Sequence, residues 1–353
     1  MPHAKTAELS ERDREILRTV ILAYIVDAEP VSSRSIAKRT DLGLSSATIR
    51  NVMADLEDAG LLAQPHTSAG RVPTAAAYHL FIESMMRSHE LPPRVRRYIR
   101  ENLRSAPADA EELMEVTTHL LSELSSQVGI VVTPAMGDTV LKTIDFVPLS
   151  GNKVLCVVVS TSGFVDNKVV ETDGTVSRET LIEISNYVND RFAGRTLREI
   201  RDRLVAMMAE ERVQMDRILA LTIELARQGL ELGDAPRVLL EGASSVLSQP
   251  ELADIARVRR LFDTFENQAQ LVKLVARCIE GSGVRVTIGE ESDLTSELDF
   301  SLVATGYGVG EETLGSLAIF GPSRMEYETV VPLVHYLGEN LSRALEEVYG
   351  RER

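Results

Sequence analysis

The chain has 353 residues, 44% of them hydrophobic and 26% charged, with a formal net charge of −15. That length exceeds one ordinary core, so two or three domains are expected, and no apolar run reaches the roughly 18–20 residues that span a bilayer. The acidic total excludes a uniformly basic nucleic-acid binder, but the charge is unevenly spread. Residues 1–104 hold 15 Lys+Arg against 13 Asp+Glu, a net of +2, and the remainder holds 23 against 40, a net of −17. An acidic body can carry a near-neutral DNA reader if it stands off the phosphates, and its repulsion makes non-specific binding weak and salt-sensitive.

The opening MPHAKTAELSERDRE holds no apolar segment of the signal-peptide kind, so a cytoplasmic protein is expected. Ser10-Glu11-Arg12-Asp13 fits a capping box with Asp in the Glu slot. Ile16, Leu17, Val20, Ile21, Tyr24 and Ile25 follow as a helical stripe. That helix stops before Pro30, because the residue preceding proline disfavours the α region. Ser32 or Ser33 caps a short second helix, and Leu42-Gly43-Leu44 makes a turn in which Gly43 can take a positive φ.

Ser45 or Ser46 caps the third helix. Ile49, Val52, Met53 and Leu56 share its core face, while Ala47, Thr48, Arg50 and Asn51 lie opposite in its first half. Asp55, Glu57 and Asp58 occupy the far end, where they oppose the helix macrodipole for no reason that helix geometry supplies. Gly60 stops the helix. Leu61–Gln64 reads as a strand, Pro65–Arg71 as a turn-rich loop, and Val72 as the start of the returning strand. This is the order of a winged helix-turn-helix, in which the first half of the recognition helix meets base edges. Ser68, Gly70 and Arg71 would let the loop approach a phosphate closely, with Arg71 as the charge; a plain surface turn is the other reading. Thr74 caps a further helix, and Pro92–Arg104 is a basic linker helix or a DNA-backbone contact.

Beyond the reader, Asp109–Gln127 reads as a helix and four strand-like runs follow: Val128–Thr133, Val140–Leu149, Lys153–Ser160 and Phe164–Val170. Residues 177–232 are mostly helical, Arg237–Glu241 is a strand, and Val258–Glu280 returns to helix. Strands resume at Val284–Ile288, Phe300–Tyr307 and Leu314–Phe320, before a last helix, Tyr327–Tyr349. This β, then α, then β order gives a multidomain α+β protein with a mainly helical block inserted into a sheet domain. The expected divisions are 1–104 for the reader and linker, 105–176 and 281–353 for the two parts of the sheet domain, and 177–280 for the insert.

Catalytic and cofactor chemistry is not readable. The six histidines are scattered, and Cys156 and Cys278 lie in apolar runs as buried free thiols, so neither a metal site nor a disulfide is expected. Gly306-Tyr307-Gly308-Val309-Gly310 lacks the strand–GxGxxG–helix context of a dinucleotide site and reads as a hairpin loop. No nucleophile elbow or Walker loop is present, so an enzyme is not expected and no cofactor is assigned.

SSATIRNVMADLEDAGLLAQPHTSAGRVPT (Ser45–Thr74) closely resembles the signature of the HrcA family of bacterial heat-inducible transcription repressors. IFGPSRMEYETVV (Ile319–Val331) resembles that family's second signature, and VTIGEES (Val286–Ser292) and EGASSVLSQPEL (Glu241–Leu252) also fit. Val52 stands where the family pattern has Glu, at a core-facing position. The resemblance implies a homodimer that binds an inverted-repeat DNA operator, CIRCE, and represses chaperone operons. It implies a GAF-like sheet domain interrupted by a dimerisation domain, and the GroEL chaperonin as the partner that maintains the active form. Ser45, Ser46, Thr48, Arg50 and Asn51, with His66, Ser68 and Arg71 in the wing, are the expected DNA contacts. A regulator that senses a small molecule between the strands and the 306–310 loop is the alternative.

Overall fold

The computed structural model describes residues 9–350, except 41, 67–69, 86–89, 107–108, 209–216, 231–235, 248, 253, 279–282, 293–294, 297–298 and 311. Helix α1 (Glu11–Asp27) starts at Ser10, whose Oγ accepts the Asp13 N–H at 3.2 Å, and ends at Ala28 with φ 54°. Ser32 caps α2 (Ser33–Arg39), and Ser45 caps α3 (Ser46–Asp58). Gly43 and Gly60 take the left-handed φ values, +62° and +75°, that the turn and the helix stop require. Strands β1 (Leu62–Ala63) and β2 (Val72–Pro73) pair antiparallel, and Val31 adds a third rung opposite Arg71. Thr74 caps α4 (Ala75–Leu80), which continues as one π turn to Met85.

After the head come α5 (Pro93–Ser105), α6 (Ala110–Ser125) and β3 (Val128–Val132). The expected linker helix α5 is docked: Ile99 and Leu103 are buried in the same core as α6 and the C-terminal helix (Tyr327–Gly350). Next are β4 (Leu141–Pro148), β5 (Lys153–Ser160), β6 (Val165–Glu171), α7 (Arg178–Phe192), α8 (Leu197–Met208) and α9 (Arg217–Gly229). Then follow β7 (Val238–Glu241), α10 (Ala243–Val246), α11 (Ile255–Glu266), α12 (Gln268–Cys278), β8 (Arg285–Ile288), β9 (Phe300–Val309) and β10 (Glu312–Pro322), ahead of the C-terminal helix.

Strand pairing moves the expected domain divisions. A five-stranded antiparallel sheet runs β7-β3-β10-β9-β8, while β4-β5-β6 form a separate three-stranded sheet. The three-stranded sheet buries Leu141, Ile144, Phe146, Cys156 and Val158 against Leu181, Ile184, Leu204 and Ile223 of α7–α9. The interrupting unit therefore runs from Leu141 to Leu230, with its own core. Residues 141–171 belong to it rather than to the first part of the sheet domain, and β7 through α12 belong to the sheet domain rather than to the insert. Alternation marks a strand as half-buried but does not say which sheet receives it.

The main sheet is packed on both faces. Val131, Val303, Leu317 and Ile319 point to α6 and the C-terminal helix. Val128, Ile130, Val132, Leu302 and Phe320 point to Leu261, Leu271 and Val275 of α11 and α12. The first of these cores is continuous with that of the head, from Ile16 and Ile49 through Phe81 to Val330 and Leu337.

Polar clamps reinforce that joint. Arg324 donates through Nε to Glu251 Oε1 at 2.6 Å, through Nη2 to Gln249 Oε1 at 2.8 Å, and through Nη1 to the Ile25 carbonyl at 3.1 Å. The Tyr78 and Tyr327 rings lie 5.4 Å apart, and His79 Nε2 is 2.6 Å from Glu291 Oε1. The hydrogen bond to Glu291 raises the His79 pKa above its ordinary 6.5, against the lowering effect of burial. Burial alone would raise the Glu291 carboxyl, but the hydrogen bonds from His79 and the Ile288 N–H hold it below 4.5.

Candidate nucleic-acid interface

Two faces of α3 follow from its residue spacing. Ile49, Val52, Met53 and Leu56 are buried in the head's core, Val52 among them despite its departure from the family pattern. Ser46, Ala47, Arg50 and Asn51 are exposed on the opposite side. Ser45 Oγ accepts the Thr48 N–H at 3.1 Å and lies 2.9 Å from Thr48 Oγ1, so these two hydroxyls fasten the first turn. The side chains of Ser46, Arg50 and Asn51 make no hydrogen bond or ion pair among the described residues.

The wing is braced against the recognition helix. Arg71 donates through Nε to Glu57 Oε2 at 2.8 Å, with Nη2 2.7 Å from the same oxygen, and only 17% of its side chain is exposed. The structure thus places Arg71 at the root of the wing, facing α3, and it accounts for Glu57 at the end of that helix. A charge-assisted hydrogen bond offsets the few tenths of a kcal/mol by which an acid there opposes the macrodipole. The backbone of Arg71 exchanges hydrogen bonds of 2.8 and 2.9 Å with Val31. Gly70 is small for this contact: a Cβ there would fall 2.5 Å from the Val31 carbonyl carbon and oxygen. His66 is exposed beside Pro65, and Ser68 lies outside the described residues.

Two cations join the predicted set. Arg34 and Lys38 are exposed one turn apart on α2, without an ion pair among the described residues, whereas Arg39 is held by Asp27 at 2.6 Å. Their signal is the i,i+4 spacing in RSIAK, on the helix that crosses the DNA backbone in helix-turn-helix docking. The arrangement can set the first half of α3 into a major groove while the cations of α2 meet flanking phosphates. Among the described residues, no group of three or more His, Cys, Asp or Glu side chains stands close enough to hold a metal ion. Among the described residues, no helix is long and apolar enough to cross a membrane. Cys156 is buried, and desolvation pushes its thiol up to about 12. The side chain of Cys278 lies outside the described set.

A family profile described as the winged helix-turn-helix transcription repressor, HrcA DNA-binding, matches residues 8–86. A second, the HrcA protein C-terminal domain, matches residues 111–331. The chain belongs to the HrcA family. It is 41% identical over 339 residues to the heat-inducible transcription repressor HrcA of Geobacter sulfurreducens, covering 96% of this chain and 99% of that one. It is 38% identical to the repressor of the same name from Syntrophobacter fumaroxidans, over 97% of this chain and 99% of the relative. A solved structure described only as a hypothetical protein at 2.2 Å resolution is 26% identical, with a TM-score of 0.66 over 97% of this chain and 100% of its own length. In this HrcA-family chain the second signature falls at the joint. Arg324 of IFGPSRMEYETVV grips the Ile25 carbonyl at the end of α1, and the Tyr327 ring packs at a tilt against Tyr78.

The glycine-rich 306–310 stretch is the end of β9 and its hairpin turn. Gly308 and Gly310 donate their N–H groups to Ser342 Oγ and Glu346 Oε1, both at 3.1 Å. Tyr307 is buried beneath it, and its hydroxyl donates to the Val132 carbonyl at 3.0 Å.

Proposed function

We propose that this chain represses heat-shock chaperone operons by binding the CIRCE inverted repeat as a homodimer in the cytoplasm, and that the GroEL chaperonin maintains its active form. The observation that carries the reading is the unpartnered first half of α3, with Arg50 and Asn51 presented beside a wing that Glu57 holds in place. Arg50 and Asn51 read base edges, Ser46 and the start of α3 meet phosphate, and His66 and Ser68 lie in the wing. Thr48 positions the first turn with Ser45, and Arg71 fixes the wing.

An operator with two-fold symmetry requires a two-fold protein. The insert supports that requirement. The outer edge of β4 is covered by α7, because Asn189 and Ser185 bind the Ile144 and Phe146 backbone. The opposite edge strand, β6, presents Val165 and Val169, 60% and 50% exposed, on one side. An open strand edge that carries two exposed valines offers a place for a second copy to pair.

DNase footprinting on the organism's own chaperonin promoter tests the reading, with and without the chaperonin. Protection of an inverted repeat that strengthens with chaperonin is expected, and Arg50→Ala should weaken it by roughly 1–3 kcal/mol. A folded Arg50→Ala dimer with unchanged protection removes Arg50 from the contacts.

A further inference from the structure

Away from the head, a cleft of about 430 Å³ opens between α5, the start of α6 and the end of the C-terminal helix. Its floor is apolar, formed by Leu103, Leu113, Ala344 and Val348, and its rim carries Arg100, Arg104 and Arg343 from two separate helices. Among the described residues Glu347 is the one carboxylate that lines it, and it forms no ion pair with these arginines. Arg343 Nη1 sits 3.4 Å from Oδ1 of the buried Asn340, and Arg100 and Arg104 have no partner among the described residues. Three arginines that line one cleft of an otherwise acidic body, with no ion-pair partner among the described residues, suit an anion. All three are arginines, whose planar forks match carboxylate and phosphate oxygens two at a time. The volume lies within the range of small-ligand sites, and an apolar floor under a few convergent polar groups is their usual lining.

We propose that this cleft is an effector site for a small amphipathic anion, a phosphate or carboxylate joined to an apolar ring or chain. The apolar floor favours such a ligand over the DNA backbone, which is polar along its whole length. Phosphate oxygens would lie on Arg100, Arg104 and Arg343, and the apolar group on Leu113, Ala344 and Val348. Binding would tie α5, the helix that follows the head, to the C-terminal helix on which the head also rests.

Phenyl phosphate is the probe, with inorganic phosphate, phenol and a non-operator DNA duplex as the other arms, titrated against the full chain by calorimetry and thermal shift. Phenyl phosphate should bind saturably and raise the melting temperature. Inorganic phosphate should bind more weakly, and phenol should not bind. Arg100→Gln, Arg104→Gln and Arg343→Gln together should weaken phenyl phosphate by at least about tenfold. Ala344→Trp, which keeps every arginine and fills the floor, should abolish its binding while leaving the circular dichroism spectrum unchanged. Equal affinity in wild type and the triple variant overturns the proposal, as does the absence of saturable binding by either phosphate. A triple variant that loses only duplex affinity, with no phenyl phosphate binding in the wild type, assigns the arginines to DNA and also overturns it. None of these outcomes depends on the operator reading, which the footprint tests alone.

Discussion

The DNA-reading head and the inserted unit meet the main sheet in opposite ways. The head is contiguous in sequence, yet its core runs without a break into the core under the sheet and is clamped there by Arg324, Tyr327 and Glu291. The insert interrupts the sheet domain, yet it folds its own strands onto its own helices around a separate core. Contiguity along the chain is thus a poor guide to mechanical independence, which follows from where apolar side chains are buried together.

The sharpest way to break that comparison is Phe81→Ala, at a fully buried position of the head–sheet core. Losing a phenyl ring there should cost about 3–5 kcal/mol. Urea denaturation followed by one probe in the head and one in the main sheet should show both midpoints falling together. A fall confined to the head would separate the two cores.

On the insert's side, Val165→Lys with Val169→Lys should leave head and sheet folded while converting the proposed dimer to monomer. Operator affinity should then fall by at least about tenfold, the equivalent of ~1.4 kcal/mol, with sedimentation reporting the oligomeric state. A variant that remains dimeric clears β6 of that role. Within the head, Glu57→Gln removes the charge that holds Arg71. The pair is partly exposed, so about 1 kcal/mol or less of stability should be lost. Electrophoretic mobility assays should show tighter non-specific DNA binding as Arg71 is freed, and unchanged non-specific affinity would count against the brace.

The smallest effect is pH-dependent and belongs to the joint. A raised histidine pKa gives stability that is full below about 6.5 and is lost as pH climbs through the higher folded value. A depressed carboxyl gives stability that is full above about 4.5 and is lost as pH falls through the lower folded value. The His79–Glu291 pair therefore contributes most between those limits and fades on the alkaline side. His79→Gln should lower the melting temperature more at about pH 5.5 than at about pH 8. An equal drop at both would mean that the contact acts through packing alone.

What the sequence disclosed divides along the same line. The caps at Ser10 and Thr74 and the core face of α3 depend on neighbours within one or two turns and could be read directly, while Ser32 and Ser45 were each one of two adjacent serines until the structure chose between them. The bounds of β5, and β9 with β10 as a hairpin, were equally legible, because alternation and turn glycines are local. The partition of β4–β6 into their own sheet was not, since strands of either sheet carry the same apolar pattern. Arg71 was legible as a cation of the wing, but its partner Glu57, 14 residues earlier, became meaningful only once the wing folded back. The joint was least visible of all: Arg324 and Ile25 are separated by 299 residues.

The unbroken core has one more consequence. A reader whose core is shared with its scaffold is expected to have no separate thermometer, losing its fold at the temperature at which the scaffold does. Recovery after heating then requires most of the chain to refold.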